Sequence, residues 1–286
     1  YLYLIPAFIG LIVLTYIPLI AVFGLSFFKW GGTGAPEWNG INNYIKLFTT
    51  DPYFKESIKV TVYFSLLAVV GSMVYSLIVA MLLNRKIPAR GFFRAVFYLP
   101  YVLPAAAVYI GWSWLYNTEW GLFNYILSKL GIERLMFVSS SSQVVPSLAL
   151  IAVWLSGNLI VIFLAGLQNV PRVYHEAAEI DGANAWQRFW HVTFPSMTPI
   201  IFYNMLMSLI TNMQVVTPAL ALTKGGPGKS SYFMSYMLYN YAFKQRGKIG
   251  LACAIAFVLF LLIGAFTLLL FATSKSWIFY EGGDDK

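Results

Sequence analysis

The sequence predicts an all-α integral membrane protein. Three observations carry that expectation. Of 286 residues, 59% are apolar and only 10% charged, where soluble domains hold about 45–50% and about 25%. The charges are also segregated, because Tyr1–Phe28, Val60–Leu83, Ala95–Thr118, Leu135–Pro171, Val192–Thr223 and Ile249–Ser274 contain no Asp, Glu, Lys or Arg. Each stretch can supply the roughly 20 apolar residues that cross a bilayer as a helix. The third observation is that a further uncharged piece, Ser230–Phe243, too short to span, is rich in Tyr, as expected of an interfacial or re-entrant helix.

Taken in order, the spans are expected at about 2–28, 60–83, 95–118, 144–167, 195–222 and 249–273, six core helices within a single domain covering 1–286. The first lacks a basic start and a small-residue cleavage site, and Pro6 and Pro18 interrupt it, so it reads as a helix and not a signal peptide. A chain starting at Tyr1 without Met is expected to have a native N-terminal segment before it. The third span carries Leu99-Pro-Tyr-Val-Leu-Pro104, and Pro146, Pro199 and Pro218 mark the fourth and fifth. Such breaks free backbone groups that neighbours or a cavity must satisfy, and transporters place them near their sites.

Charge sets the orientation. Arg85, Lys86, Arg90 and Arg94 crowd the turn Asn84–Arg94 without an acid, which marks a cytoplasmic loop. The loop around Glu176 and both termini then also face the cytoplasm. Eleven of the nineteen Lys and Arg fall on the outer side against five acids. That excess suits either steering of an acidic substrate or partner or contact with lipid headgroups.

Several chemistries find no support. His175 and His191 lie sixteen apart with no further ligand at metal spacing, and the single Cys253 lies in the last span. Gly225-Gly-Pro-Gly-Lys-Ser230 lacks the Gly a phosphate loop needs, since Thr223 stands there, and it reads as a tight outer turn. No span contains an ionisable carboxylate or Lys, which argues against intramembrane catalysis or a proton relay. No catalytic residue, metal or nucleic-acid partner is expected. The alternative, a membrane-embedded enzyme of polysaccharide or lipid handling, would need those missing acids.

The spans do contain uncharged polarity. Asn204, Ser208, Thr211 and Asn212 share one face of the fifth, with Gln214 off its edge. Either they bond to neighbouring helices or they wall a wet cavity for a hydroxyl-rich solute.

The remaining unusual stretch is Tyr174–Trp190, where Glu176, Glu179 and Asp181 cluster before Gly182 in a chain with eleven acids. Glu176-Ala-Ala178, Gly182 four residues on, and Val192-Thr-Phe-Pro195 resemble the Glu-Ala-Ala loop of the membrane subunits of binding-protein-dependent ATP-binding-cassette (ABC) importers. Leu99–Pro104, Trp112-Ser-Trp114 before Gly121-Leu-Phe-Asn124, Ala165-Gly-Leu-Gln-Asn-Val-Pro171 and Leu222-Thr-Lys-Gly-Gly-Pro227 narrow the resemblance to the carbohydrate-uptake branch, which includes the larger maltose permease subunit. Phe194-Pro195 replaces the usual Leu-Pro, and the large outer insertion of the maltose subunit is missing.

The resemblance implies a type I ABC importer fold with a cytoplasmic coupling helix at 171–191 and a short extracytoplasmic interfacial helix. In the loop, Pro171 opens one short helix, Ala177 and Ala178 allow close approach, Gly182 permits a bend, and Ala183–Trp190 forms a second helix. Glu176, Ala177, Ala178, Asp181 and Gly182 are its ATPase-coupling residues. The resemblance places substrate contacts at Tyr101, Ser208 and Asn212, with Gln214 next to a matching amide and Trp154 and Asn158 as further candidates. Ala105 and Leu159 replace a hydroxyl and an aromatic of the maltose subunit. The implied function is ATP-driven import of an oligosaccharide or other carbohydrate, with an acidic uronate oligosaccharide as one candidate. The implied partners are a second homologous permease, two ATP-binding-cassette subunits that bind the ATP and Mg, an extracytoplasmic solute-binding protein and membrane lipids. The implied location is the bacterial cytoplasmic (inner) membrane, with no cofactor in this chain.

Overall fold

The computed structural model describes residues 2–245 and 247–279. Tyr1, Arg246 and Lys286, counted in the charge pattern or the termini, lie outside the described residues. Helix dominates, relieved by one antiparallel pair, β1 Phe28–Lys29 with β2 Glu37–Trp38.

Helix α1 runs Ile5–Leu25 and widens into a π-turn at Ile12–Tyr16, just before Pro18 withholds its backbone donor. After α2 (Asn42–Thr49), α3 extends unbroken over Phe54–Asn84. Helices α4 (Arg90–Val102) and α5 (Ala105–Leu115) form a pair bent by 100°. Leu103 at the break is extended, φ −71 and ψ 145, because the ring of Pro104 excludes the helical region from the residue before it.

Helix α6 (Leu122–Lys129) precedes a second bent pair, α7 (Val144–Trp154) and α8 (Gly157–Asn169), at 50°. No proline lies at this break. Short α9 (Arg172–Ile180) and α10 (Ala185–Arg188) lead through a π-turn at Phe189–Thr193 into α11 (Phe194–Met213). Helix α11 ends well before residue 222, the expected limit of the fifth span, and a π-turn at Ala219–Thr223 follows Pro218. Helices α12 (Met234–Tyr239) and α13 (Ile249–Ser274) complete the order. By length and composition α1, α3 and α13 can each cross a membrane alone, and each bent pair can do so as one span.

The chain divides into two compact units, 1–62 with 213–264 and 63–212 with 265–286. In the first, Gly250 lets α13 lie directly on the backbone after α1, since a Cβ there would stand 1.9 Å from the Phe28 carbonyl oxygen. The Asn43 carboxamide donates to the carbonyls of Ser26 (2.7 Å) and Phe28 (2.9 Å), fixing the hairpin's first strand.

In the second unit, α4 crosses α8 at Gly157, where a Cβ would lie 2.6 Å from the Phe97 carbonyl. This close approach accounts for the glycine at 157, just after the proline-free break at Leu155–Ser156. Buried Val79, Leu83, Phe163, Leu164, Leu167 and Met197 join the ends of α3, α8 and α11 in one core. The loop that follows α8 is therefore mounted on a packed base.

Candidate functional site

The Glu-Ala-Ala loop is built from local rules. Pro171 has an extended backbone (ψ 131) and starts α9 without an unsatisfied donor of its own. The helix ends at Ile180 with Asp181 as its C-cap, and Gly182 adopts φ +78 with open space around it, so backbone conformation and not crowding selects glycine there. The turn closes through Ala183 N–H to Ala178 (2.9 Å) and Gly182 N–H to Glu179 (3.1 Å).

Asn184 then caps α10 reciprocally: its Oδ1 accepts from Gln187 N–H at 3.0 Å, and Gln187 Oε1 accepts from Asn184 N–H at 2.8 Å. The second helix expected over Ala183–Trp190 is only four residues of α-helix, which pass through the π-turn into α11. The loop is thus continuous with the helix behind it. An ion pair from Glu179 to Arg188 ties the two limbs across the bend.

Glu176, Ala177, Asp181 and Gly182 are exposed and Ala178 half-buried, and α9 buries no residue. Apolar side chains flank the acids, with Ile180 87% and Trp186 69% exposed. Trp186, Phe189, Trp190 and Phe194 form a ring cluster with centroids 5.0–6.2 Å apart. A recess of about 270 Å³ lies between the limbs, lined by Asp181, Gly182, Gln187 and His191 among others. His191 Nδ1 donates to the Gln187 carbonyl at 3.0 Å. A stiff, exposed knuckle with apolar edges is suited to seat in a cleft of another protein.

The predicted substrate residues fall into separate groups. Tyr101 is half exposed and its ring lies 5.8 Å from that of Tyr98, which sits at the α4–α8 crossing beside Gly157. Asn158 follows Gly157 in α8, and Trp154, at the end of α7, meets Trp112 at 5.5 Å edge to face. On α11, Asn212 Nδ2 donates to the Ser208 carbonyl (2.8 Å) and hydroxyl (3.1 Å), so these two share a face as expected. Asn204 is buried and bonds back to Ile200 at 2.8 Å, whereas Thr211 is exposed. The stripe therefore grades from an internal, satisfied end to an open end. Gln214 is exposed just past the end of α11.

Sequence reasoning missed the Glu179–Arg188 pair. Its partners are nine residues apart, and only the bend at Gly182 brings them together.

Comparison with known proteins agrees with this architecture. Residues 72–276 match the family described as binding-protein-dependent transport system inner membrane component. The Bacillus subtilis "Probable ABC transporter permease protein YesP" is 36% identical over all of this chain and 93% of its own length. The multiple sugar-binding transport system permease protein MsmF of Streptococcus mutans is also 36% identical, over 96% of this chain and 94% of its own. The fold matches a bacterial alginate ABC transporter, solved in complex with its alginate pentasaccharide-bound periplasmic protein, at TM-score 0.80 and 20% identity over 96% of this chain and 93% of that one. The chain belongs to the binding-protein-dependent transport system inner membrane component family: it is a multi-pass permease subunit of an ABC importer, with the type I fold, and not an enzyme.

Proposed function

We propose that this permease moves an oligosaccharide into the cytoplasm by ATP-driven alternating access, with an acidic uronate oligosaccharide as its specific cargo. The observation that carries the reading is the exposed loop Pro171–Thr193, continuous with α11, the helix that carries Ser208 and Asn212. A partner that grips this loop can tilt α11 without any change of covalent structure. The partner is an ATPase subunit, which binds the ATP and Mg. Its closure favours the outward-open arrangement and its nucleotide release the inward one.

A complete assembly has two such ATPases, a second permease and an extracytoplasmic solute-binding protein. The binding-protein-dependent family description supports the last. Both termini lie in the cytoplasm, as the acid-free turn of Arg85, Lys86, Arg90 and Arg94 argues.

Cargo is offered aromatic faces by Tyr101 and Trp154 and amide and hydroxyl groups by Asn158, Ser208, Asn212 and Gln214, the mix that suits sugar faces and rims. The name of the Streptococcus relative supports a sugar. The outer excess of Lys and Arg, together with a solved neighbour of this fold described as importing the acidic polysaccharide alginate, supports an acidic one. The test is the ATPase rate of the purified complex with its binding protein, measured against neutral and uronate oligosaccharides. Stimulation by uronates first is expected; stimulation by no saccharide would refute the reading.

A further inference from the structure

Beside the coupling loop, within the second unit, lies an open recess of about 320 Å³ walled by the ends of α3 and α8, by His175 of α9, by α10 and by the π-turn Phe189–Thr193. Its polar lining is Asn84, His175, Arg188 and Thr193, its apolar walls include Leu167 and Phe189, and none of its lining residues is acidic. Each polar group there carries a hydrogen-bond donor: an amide, an imidazole N–H, a guanidinium and the Thr193 hydroxyl, which makes only a long 3.5 Å bond to the Arg188 carbonyl. Donors converging on a partly apolar recess favour an oxyanion, which accepts from all of them at once. Liquid water occupies about 30 Å³ per molecule, so the volume admits a phosphate group and several waters.

Arg188 decides what such a ligand would do. Its side chain is only 26% exposed, and it pairs through Nη1 with Glu179, which is 60% exposed. One carboxylate oxygen on one nitrogen leaves a fork of further N–H donors. Asn84 also adjoins the acid-free turn that holds Arg85, Lys86, Arg90 and Arg94, which raises the local potential for an anion.

We propose that this recess binds a phosphate group, supplied by an anionic lipid headgroup or by free phosphate, and that the phosphate competes with Glu179 for Arg188. Occupancy loosens the tie across the Gly182 bend and so tunes how stiffly the coupling loop transmits motion.

The complete transporter is tested in two arms. Retained phosphatidylglycerol is counted by native mass spectrometry after nanodisc reconstitution, with phosphatidylcholine discs as reference. Inorganic phosphate binding is followed by calorimetry in lipid-free detergent. Arg188→Gln should weaken binding by about tenfold, the scale of one lost charge-assisted bond. Glu179→Gln, which removes the competitor, should strengthen it severalfold, and Thr193→Val should weaken it a few-fold with the ion pair intact. These shifts in the lipid arm alone assign a headgroup, and in the phosphate arm alone a soluble ion. If Arg188→Gln and Glu179→Gln act in the same direction, or neither variant matters in either arm, the proposal is overturned.

Discussion

Two regions of this chain share a construction and differ in what they face. The coupling segment and the Tyr-rich segment near 230–244 each place a short helix and a π-turn between long helices. The Tyr-rich segment turns its apolar side chains inward: Tyr232, Phe233, Met234, Tyr236, Met237 and Tyr241 are all buried. Thr61 Oγ1 accepts from Met234 N–H at 2.9 Å, the Tyr241 hydroxyl donates to Asp51, and Lys229 lies over the rings of Tyr53 (4.7 Å) and Tyr232 (4.6 Å). The coupling segment buries nothing in α9 and leaves Ile180 and Trp186 exposed. One segment is covered by its own chain; the other leaves large apolar side chains exposed.

The largest effect that would break this contrast is on Gly182. Proline cannot adopt φ +78, and it removes the N–H that bonds Glu179. Gly182→Pro should leave the subunit in the membrane and reduce uptake by more than tenfold while ATP hydrolysis continues. Normal uptake by this variant would remove the docking role.

Next comes Thr61→Val, which orphans a buried backbone N–H at the start of α12 and should cost about 1–3 kcal/mol. A lower thermal midpoint with an unchanged ratio of hydrolysis to uptake is expected, because the Tyr-rich segment is structural. Asn212→Leu should slow transport severalfold with assembly intact; an unchanged rate would return the α11 stripe to helix packing.

The smallest effect is Tyr241→Phe, worth about 1 kcal/mol for one hydrogen bond. Burial, then the bond to Asp51 and its charge, holds the Tyr241 phenol above its ordinary range. The contact's stabilisation is therefore full below about pH 10 and lost as pH rises toward the folded pKa. A midpoint that falls above pH 10 in the parent and less in Tyr241→Phe would check the sign.

Hydropathy made α1, α3 and α13 legible because each long helix carries an almost unbroken apolar run. The break at Leu103 was legible too, since Pro104 restricts its neighbour through local sterics. The break at Leu155–Ser156 was not, because no proline marks it and the Phe97 backbone that meets the adjacent Gly157 belongs to another helix. The coupling loop's bend followed from Gly182, yet its stiffness did not: the Glu179–Arg188 tie and the run of α10 into α11 exist only once the chain has folded. Among the substrate candidates, helical periodicity joined Ser208 to Asn212, whereas the surroundings of Tyr101 and Trp154 depend on helix crossings that periodicity does not encode.

The central claim is that the Glu-Ala-Ala loop is a seat for the ATPase. It is tested most directly by the labelling rate of Ile180→Cys with a bulky maleimide in the detergent-solubilised complex, before and after the ATPase subunits are stripped. Phe243→Cys, at a position 76% exposed in the Tyr-rich segment, serves as the reference, and native Cys253 is buried. The account predicts that Ile180→Cys is protected about tenfold or more in the complete complex and becomes reactive when the ATPase is removed, while Phe243→Cys labels equally in both. Equal labelling of Ile180→Cys with and without the ATPase would contradict it.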